Sequence, residues 1–234
     1  MLKQIQQTLE ELGNPEIAAH SQRFFKTGPG EYGEGDVFRG IRVPVQRKVA
    51  KQFKHAEIST VIDLLHSKYH EDRLVALLIL VEKYKKKDER QRQEIYDLYL
   101  ENTDYINNWD LVDSSAHKIV GPHLENRDRS ILYKLVKSDS LWERRISMMC
   151  TYHFIKKDDY EDTLKLAELL LHDKEDLIHK VVGWMLRELG KRNYDLEDGF
   201  LMDHYRDMPR TMLRYAIEKF PEDRRQAYLK GTVE

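Results

Sequence analysis

In the stretch TDYINNWDLVDSSAHKIVG, Trp109 and Asp113 lie four residues apart. On an α-helix that spacing puts both on one face. A core would accept the indole and reject the carboxylate, so the pair raises the question of chemistry. A fixed carboxylate can stabilise a developing positive charge, and an aromatic face adds favourable contact with a cation. Two further tryptophans carry an arginine at +3: Trp142 with Arg145, and Trp184 with Arg187. Arginine offers a forked donor set suited to phosphate oxygens, and indoles pack on sugars and bases. Brought to one surface, these residues would suit a polyanion, except for the carboxylate, which repels it and so points to catalysis. The alternative is a satisfied helix face with no chemistry, and the pair alone leaves both readings open.

The neighbours of these residues have structural readings. Trp142, in SDSLWERR, falls in a first helical turn and is expected in the core, with Arg144 solvated. Asp110 sits near a helix start, where the macrodipole and capping favour a carboxylate. His117, four residues after Asp113, reads as a bystander. Cys150, the single cysteine, lies in RRISMMCTYHFI and reads as a buried structural thiol. It excludes an internal disulfide framework and fits a reducing cytoplasm. No His/Cys/Asp/Glu set has metal-ligand spacing, and no Gly-x-Ser-x-Gly elbow or phosphate-binding glycine loop occurs.

The 234 residues suit one domain or one continuous repeat array spanning 1–234. Charged residues make up 34% of the chain and hydrophobic ones 41%. No run approaches the roughly 20 apolar residues of a membrane span. The N-terminal MLKQIQQTLEELG reads as an amphipathic helix rather than a signal peptide. Net charge is only −2, so distribution matters more than the total. Between Val37 and Ala56 lie Arg39, Arg42, Arg47, Lys48, Lys51 and Lys54 with no acid, and EKYKKKDERQR is a second basic cluster. Either could face phosphate or could be a solvated helix face.

Apolar residues recur at three-to-four spacing almost throughout, as in Leu74, Leu77, Leu78 and Val81, so the chain reads as about a dozen helices. Asn14-Pro15 opens one helix, Ser140 with Glu143 forms a capping box, and Asp173 precedes another. The clear irregular segment is the glycine-rich stretch from Lys26 to Gly40. Arginine-bearing apolar helices recur in DRLVALLIL, ERRISMMCTYHFI, HKVVGWMLREL and PRTMLRYAIEKF. Their spacing, about 30 to 45 residues, is near that of two-helix repeats, which must stack to bury their apolar stripes. The expected architecture is therefore an all-α curved solenoid with a concave face.

The segments NNWDLVDSSAHKIVG, SLWERRISMM, HKVVGWMLRELGK and GIRVPVQRKVAKQF resemble those of the AlkD-type DNA alkylation-repair glycosylases, which are built of HEAT-like repeats. The likeness runs from about Asn14 to Phe220, with W-D-x-V-D and G-W-x-L-R-E in order. It implies a monofunctional glycosylase that removes cationic N-alkylpurines, such as 3-methyladenine and 7-methylguanine, from duplex DNA. It implies no metal or cofactor, a monomer, and a DNA-facing concave surface. Matched by position, Asp113 would be the catalytic carboxylate, with Trp109 and Trp184 flanking the deoxyribose of the lesion. Arg145 and Arg187 would contact the DNA backbone, and Phe24 stands where the family commonly has a tyrosine. Arg47, Lys48 and Lys51 are added as DNA contacts from the basic segment. The alternative is a non-catalytic helical-repeat module that binds DNA or protein.

Overall fold

A computed structural model of the protein describes residues 1–86 and 88–233. Lys87, in the second basic cluster, lies outside the described residues. These contain 14 α-helices and two short 3-10 turns; their β-structure is one isolated bridge, Val37 to Tyr69. The all-α expectation holds. The chain divides into two compact units, Met1–Ser115 and Ala116–Glu234, with the boundary inside one helix, α7 (Trp109–His123).

In the first unit, α1 (Leu2–Glu11), α3 (Val43–Gln52), α4 (Ile58–Leu65) and α6 (Glu89–Glu101) all pack on α5 (His70–Lys86). Helix α5 explains that arrangement: His70 to Val81 is an unbroken buried run. A helix apolar on nearly every side is stable only when surrounded, and each fully buried Leu or Ile contributes about 1.5–3 kcal/mol. Helix α1 is the opposite case, burying only Ile5 and Leu9 among its described residues. Between α1 and α3, α2 (Pro15–Phe24) starts as expected. The Asn14 side chain accepts from the backbone N–H of Glu16 and Ile17, both at 3.0 Å, and Pro15 opens the first turn. Gly40 closes the glycine-rich loop with φ +81, where a Cβ would stand 2.0 Å from the Asn14 carbonyl oxygen.

In the second unit, helices pack in pairs. Helix α9 (Leu141–Ile155) packs on α8 (Ser130–Leu135) and α10 (Glu161–Leu169). Helix α11 (Asp176–Gly190) packs on α9, on α12 (Tyr194–His204) and on α13 (Arg210–Ala216). The run α9, α11, α13 thus forms one layer of alternate helices, which is the contact pattern of stacked two-helix repeats. The chain ends in α14 (Glu222–Lys230). The Ser140 hydroxyl accepts from Glu143 N–H at 3.4 Å, capping α9 as the sequence indicates. Asp173 does not cap α11; it accepts from Glu175 N–H at 2.9 Å in the preceding turn. Trp142 and Cys150 are both buried, as expected.

Candidate functional site

Helix α7 presents Trp109 and Asp113 on one half-buried face, while Leu111 and Val112 between them are fully buried. The phase is the 3.6-residue periodicity itself: Leu111 and Val112 turn into the core, and residues four apart stay at the surface. The Trp109 ring stacks on Phe25 at 5.3 Å between centroids and 15° between planes. Phe24, 57% exposed, meets Trp109 edge-on at 6.2 Å. Phe25 continues the stack to Phe38 at 5.0 Å and to His70 at 4.9 Å. The end of α2 and the glycine-rich loop therefore supply the aromatic wall behind Trp109.

A buried polar network adjoins this wall. His70 places one ring nitrogen 3.0 Å from Asp36 and the other 2.9 Å from Asp110. Arg73 donates to Asp36 at 2.5 Å, and the Asn108 side-chain amide donates to Asp36 at 3.0 Å. Asn108 also accepts from the Trp109 backbone N–H at 2.9 Å. Burial on its own would depress the His70 pKa, but the charge and hydrogen bond of Asp110, followed by those of Asp36, outweigh it and push it up to about 9. Burial raises Asp36, yet its bonds to His70 and Asn108 and the Arg73 charge hold it below the ordinary carboxylate range. Asp110 lies in the first turn of α7 as expected, but its carboxylate serves as the partner of a buried imidazolium rather than as a helix cap. A cleft of about 560 Å³ lies alongside, lined in part by Glu16, His20, Phe25, Phe38, His70 and Asp110.

The basic segment divides in two. Arg47, Lys48 and Lys51 project from one side of α3 and are exposed. Arg39, in contrast, lies over the Tyr69 ring and is paired with Glu10 and, by two bonds, with Asp72. It is a structural cation and leaves the phosphate-facing set. In the second cluster, Lys85 pairs with Glu82, and Arg92 donates to the carbonyls of Tyr84 and Lys85.

In the second unit, Trp184 is half-buried on α11, its indole N–H donating to Glu188 at 3.2 Å. Tyr152 stands 6.3 Å from it, and Lys156 lies over the Tyr152 ring at 4.7 Å. His117 packs edge-on against the same tyrosine at 5.3 Å. Gly183 brings α11 close to its neighbour: a Cβ there would stand 2.3 Å from the Met212 carbonyl oxygen. The glycine of G-W-x-L-R-E is therefore a packing requirement that seats the tryptophan. Arg187 is paired with Glu218 and lies 3.8 Å from Glu188. Arg145 is buried, 4% exposed, and donates to the Leu177 carbonyl at 2.5 Å. Arg144 is not solvated; it is paired with Asp173 at 2.7 Å and donates to the carbonyls of Ser138 and Asp139.

Within the first unit, then, Trp109, Asp113 and Phe24 belong to one α2–α7 neighbourhood, and Arg47, Lys48 and Lys51 to a ridge on α3. Within the second, Trp184 and Arg187 share Glu188, while Arg145 is tied to the start of α11. Sequence reasoning missed Phe25, Asp36, His70 and Tyr152. Only Phe25 left a local signal, as the second aromatic of an exposed-looking pair. Among the described residues, no group of three His, Cys, Asp or Glu side chains is placed to hold a metal ion, and no helix is long and apolar enough to cross a membrane.

A family model of the DNA alkylation repair enzymes matches residues 5–220. The chain belongs to that family. Membership gives it a role in DNA alkylation repair, with DNA as substrate. A solved structure described as a predicted DNA alkylation repair enzyme from Enterococcus faecalis is similar in fold, with a TM-score of 0.71. It is 17% identical and covers 90% of this chain and 97% of its own. No curated protein matches the chain significantly.

Proposed function

We propose that this member of the family is a monofunctional DNA glycosylase that excises cationic N-alkylpurines, 3-methyladenine and 7-methylguanine among them, from duplex DNA. The observation that carries the reading is the half-exposed Trp109/Asp113 face of α7 in a chain of this family. An N-alkylated purine already bears positive charge, so it leaves without a strong general acid. The C1′–N bond breaks, its electron pair departs with the base, and the base becomes neutral. The sugar becomes oxocarbenium-like, and Asp113 stabilises that cation. Trp109, four residues from Asp113 on α7, offers its face to that sugar, and Trp184 offers its own to the DNA. Water then adds to C1′ and gives its proton to Asp113 or to solvent.

Arg47, Lys48 and Lys51, exposed on α3, are the direct candidates for the DNA backbone. Phe24 offers an apolar edge without the hydroxyl common in the family. Arg187 and Arg145 would contact phosphate only by giving up Glu218 and the Leu177 carbonyl, respectively. In this reading the two-helix repeats are HEAT-like, and the protein acts as a cytoplasmic monomer without a cofactor. The test is incubation with methylated duplex DNA and chromatography of the released bases. Release of 3-methyladenine or 7-methylguanine above the spontaneous rate supports the proposal. Salt-dependent DNA binding with no release would instead identify a non-catalytic DNA-binding module.

A further inference from the structure

The chain of buried groups behind Trp109 takes no part in the excision chemistry just described. We propose that Asp36, His70 and Asp110 form a clamp that fixes Trp109 at the start of α7, and with it Asp113 one turn further on, making His70 a positioning residue for base excision. The inference rests on the glycosylase reading for its functional half.

Three features carry it. First, among the described residues His70 is the one hydrogen-bond partner of the Asp110 side chain: one carboxylate oxygen takes the imidazole at 2.9 Å, and the other is buried without a partner there. Asp110 follows Trp109 directly in the first turn of α7, so the restraint acts one residue from the indole. Second, Asp36 reaches the same turn by another route, through Asn108 to the Trp109 backbone N–H. Third, the imidazole lies flat on Phe38 at 4.7 Å and against Phe25 at 4.9 Å, and Phe25 is the ring that stacks on Trp109. Backbone and ring of Trp109 are thus both referred to one buried imidazole. The glycine-rich loop gains a role here, because it delivers Asp36. Its end is pinned to the start of α5 by the Val37–Tyr69 bridge and by His70 N–H donating to the Val37 carbonyl at 2.8 Å. Misplacement of a reacting group by about 1 Å can cost on the order of 100-fold in rate, so a clamp at this position bears directly on turnover.

The charged groups around His70 are Asp36 from the loop, Arg73 from its own helix and Asp110 from α7. Glu71, Glu16 and His20 line the adjoining cleft. The experiment labels the full-length protein with 5-fluorotryptophan and assigns its three fluorine resonances by single Trp→Phe variants. In His70→Gln, which can donate to only one of the two carboxylates, the Trp109 resonance is expected to shift and broaden. Those of Trp142 and Trp184 should stay in place. Single-turnover base release should fall at least about tenfold, with DNA affinity within about threefold. Asp110→Asn should reproduce the shift. An unmoved Trp109 resonance, a shift of all three, or a moved resonance with unchanged release would overturn the proposal.

A second arm needs no variant. In the wild type, the Trp109 resonance should titrate with a midpoint near 9, the value to which His70 is raised, while the other two should not. A flat Trp109 signal across that range overturns the clamp even if no variant folds. Should the wild type release no base, the glycosylase reading fails on that result. The fluorine measurements still decide whether the clamp sets Trp109.

Discussion

The surroundings of Trp109 and of Trp184 differ in where their charges are kept. Behind Trp109 the ion pairs are buried: Asp36 with His70 and Arg73, and Arg39 with Asp72, whose carboxylate is 0% exposed. Beside Trp184 they are at the surface: Arg187 with a half-exposed Glu218, and Lys191 with Glu188. Removing one partner of a buried pair leaves an uncompensated charge and costs about 3–5 kcal/mol, whereas surface pairs contribute about 0–1 kcal/mol. The first region is therefore built to stay in one geometry, and the second can exchange partners at little cost. In the proposed glycosylase, the first region would hold the carboxylate and the second would grip the DNA backbone.

The comparison can be broken first at its most costly point. Asp72→Ala leaves Arg39, with 6% of its side chain exposed, without its two-bond partner. It is expected to cost about 3–5 kcal/mol, read as a lower midpoint in urea. A loss below about 1 kcal/mol would place that pair in the same class as the surface ones. Next, Trp184→Ala should slow single-turnover release about tenfold while the urea midpoint changes little, because the indole is half-buried. Loss of fold without loss of rate in the remaining folded fraction would make it a core residue. The smallest effects belong to Arg187. Glu218→Gln should change stability by less than about 0.5 kcal/mol and tighten DNA binding two- to threefold by freeing the guanidinium. Equal affinity in both proteins would remove Arg187 from the DNA contacts.

Each unit also buries a titratable group that keeps its proton, one of them charged and the other neutral. His70 is held charged by two carboxylates, whereas Glu197, 2% exposed with one oxygen lacking a partner, is held neutral. Burial and then the Asp198 charge raise Glu197 to about 9, against a smaller opposing effect of Arg187. Both pKa values lie above the unfolded ones, so the folded state holds protons that the unfolded state releases, and stability falls as pH rises. For His70 the contribution is complete below about 6.5 and lost through about 9. For Glu197 the decline runs from about 4.5 to about 9. Glu197→Gln should accordingly raise the melting temperature by several degrees at pH 8 and hardly at pH 4.5, as calorimetry at the two pH values would show. Equal shifts at both pH values would mean that the carboxyl is not held neutral.

Local signals in the sequence carried much of the fold. Periodicity located the helices, Asn14 and Ser140 announced their caps, and Trp142 and Cys150 were recognisable as core. Arg47, Lys48 and Lys51 stand exposed on α3, which both sequence readings of the basic segment allow. What escaped was long-range. Arg39 meets Asp72 at a separation of 33 residues, and His70 meets Asp36 and Asp110 at 34 and 40. No local pattern encodes such partners. Arg144 and Arg145 show the same cause, because their partners Asp173 and Leu177 also lie far along the chain. Arg144 turned out paired with Asp173, and Arg145 buried against the Leu177 carbonyl.

The central claim is that Asp113 is the carboxylate that meets the sugar cation. It is tested most directly by single-turnover release of 7-methylguanine from a duplex carrying one such lesion, comparing the wild type with Asp113→Asn. The expected result is release by the wild type well above the spontaneous rate. The variant should be slower by about 100-fold or more, with its DNA dissociation constant within about threefold. A wild type no faster than buffer, or an asparagine variant as fast as the wild type, would contradict it.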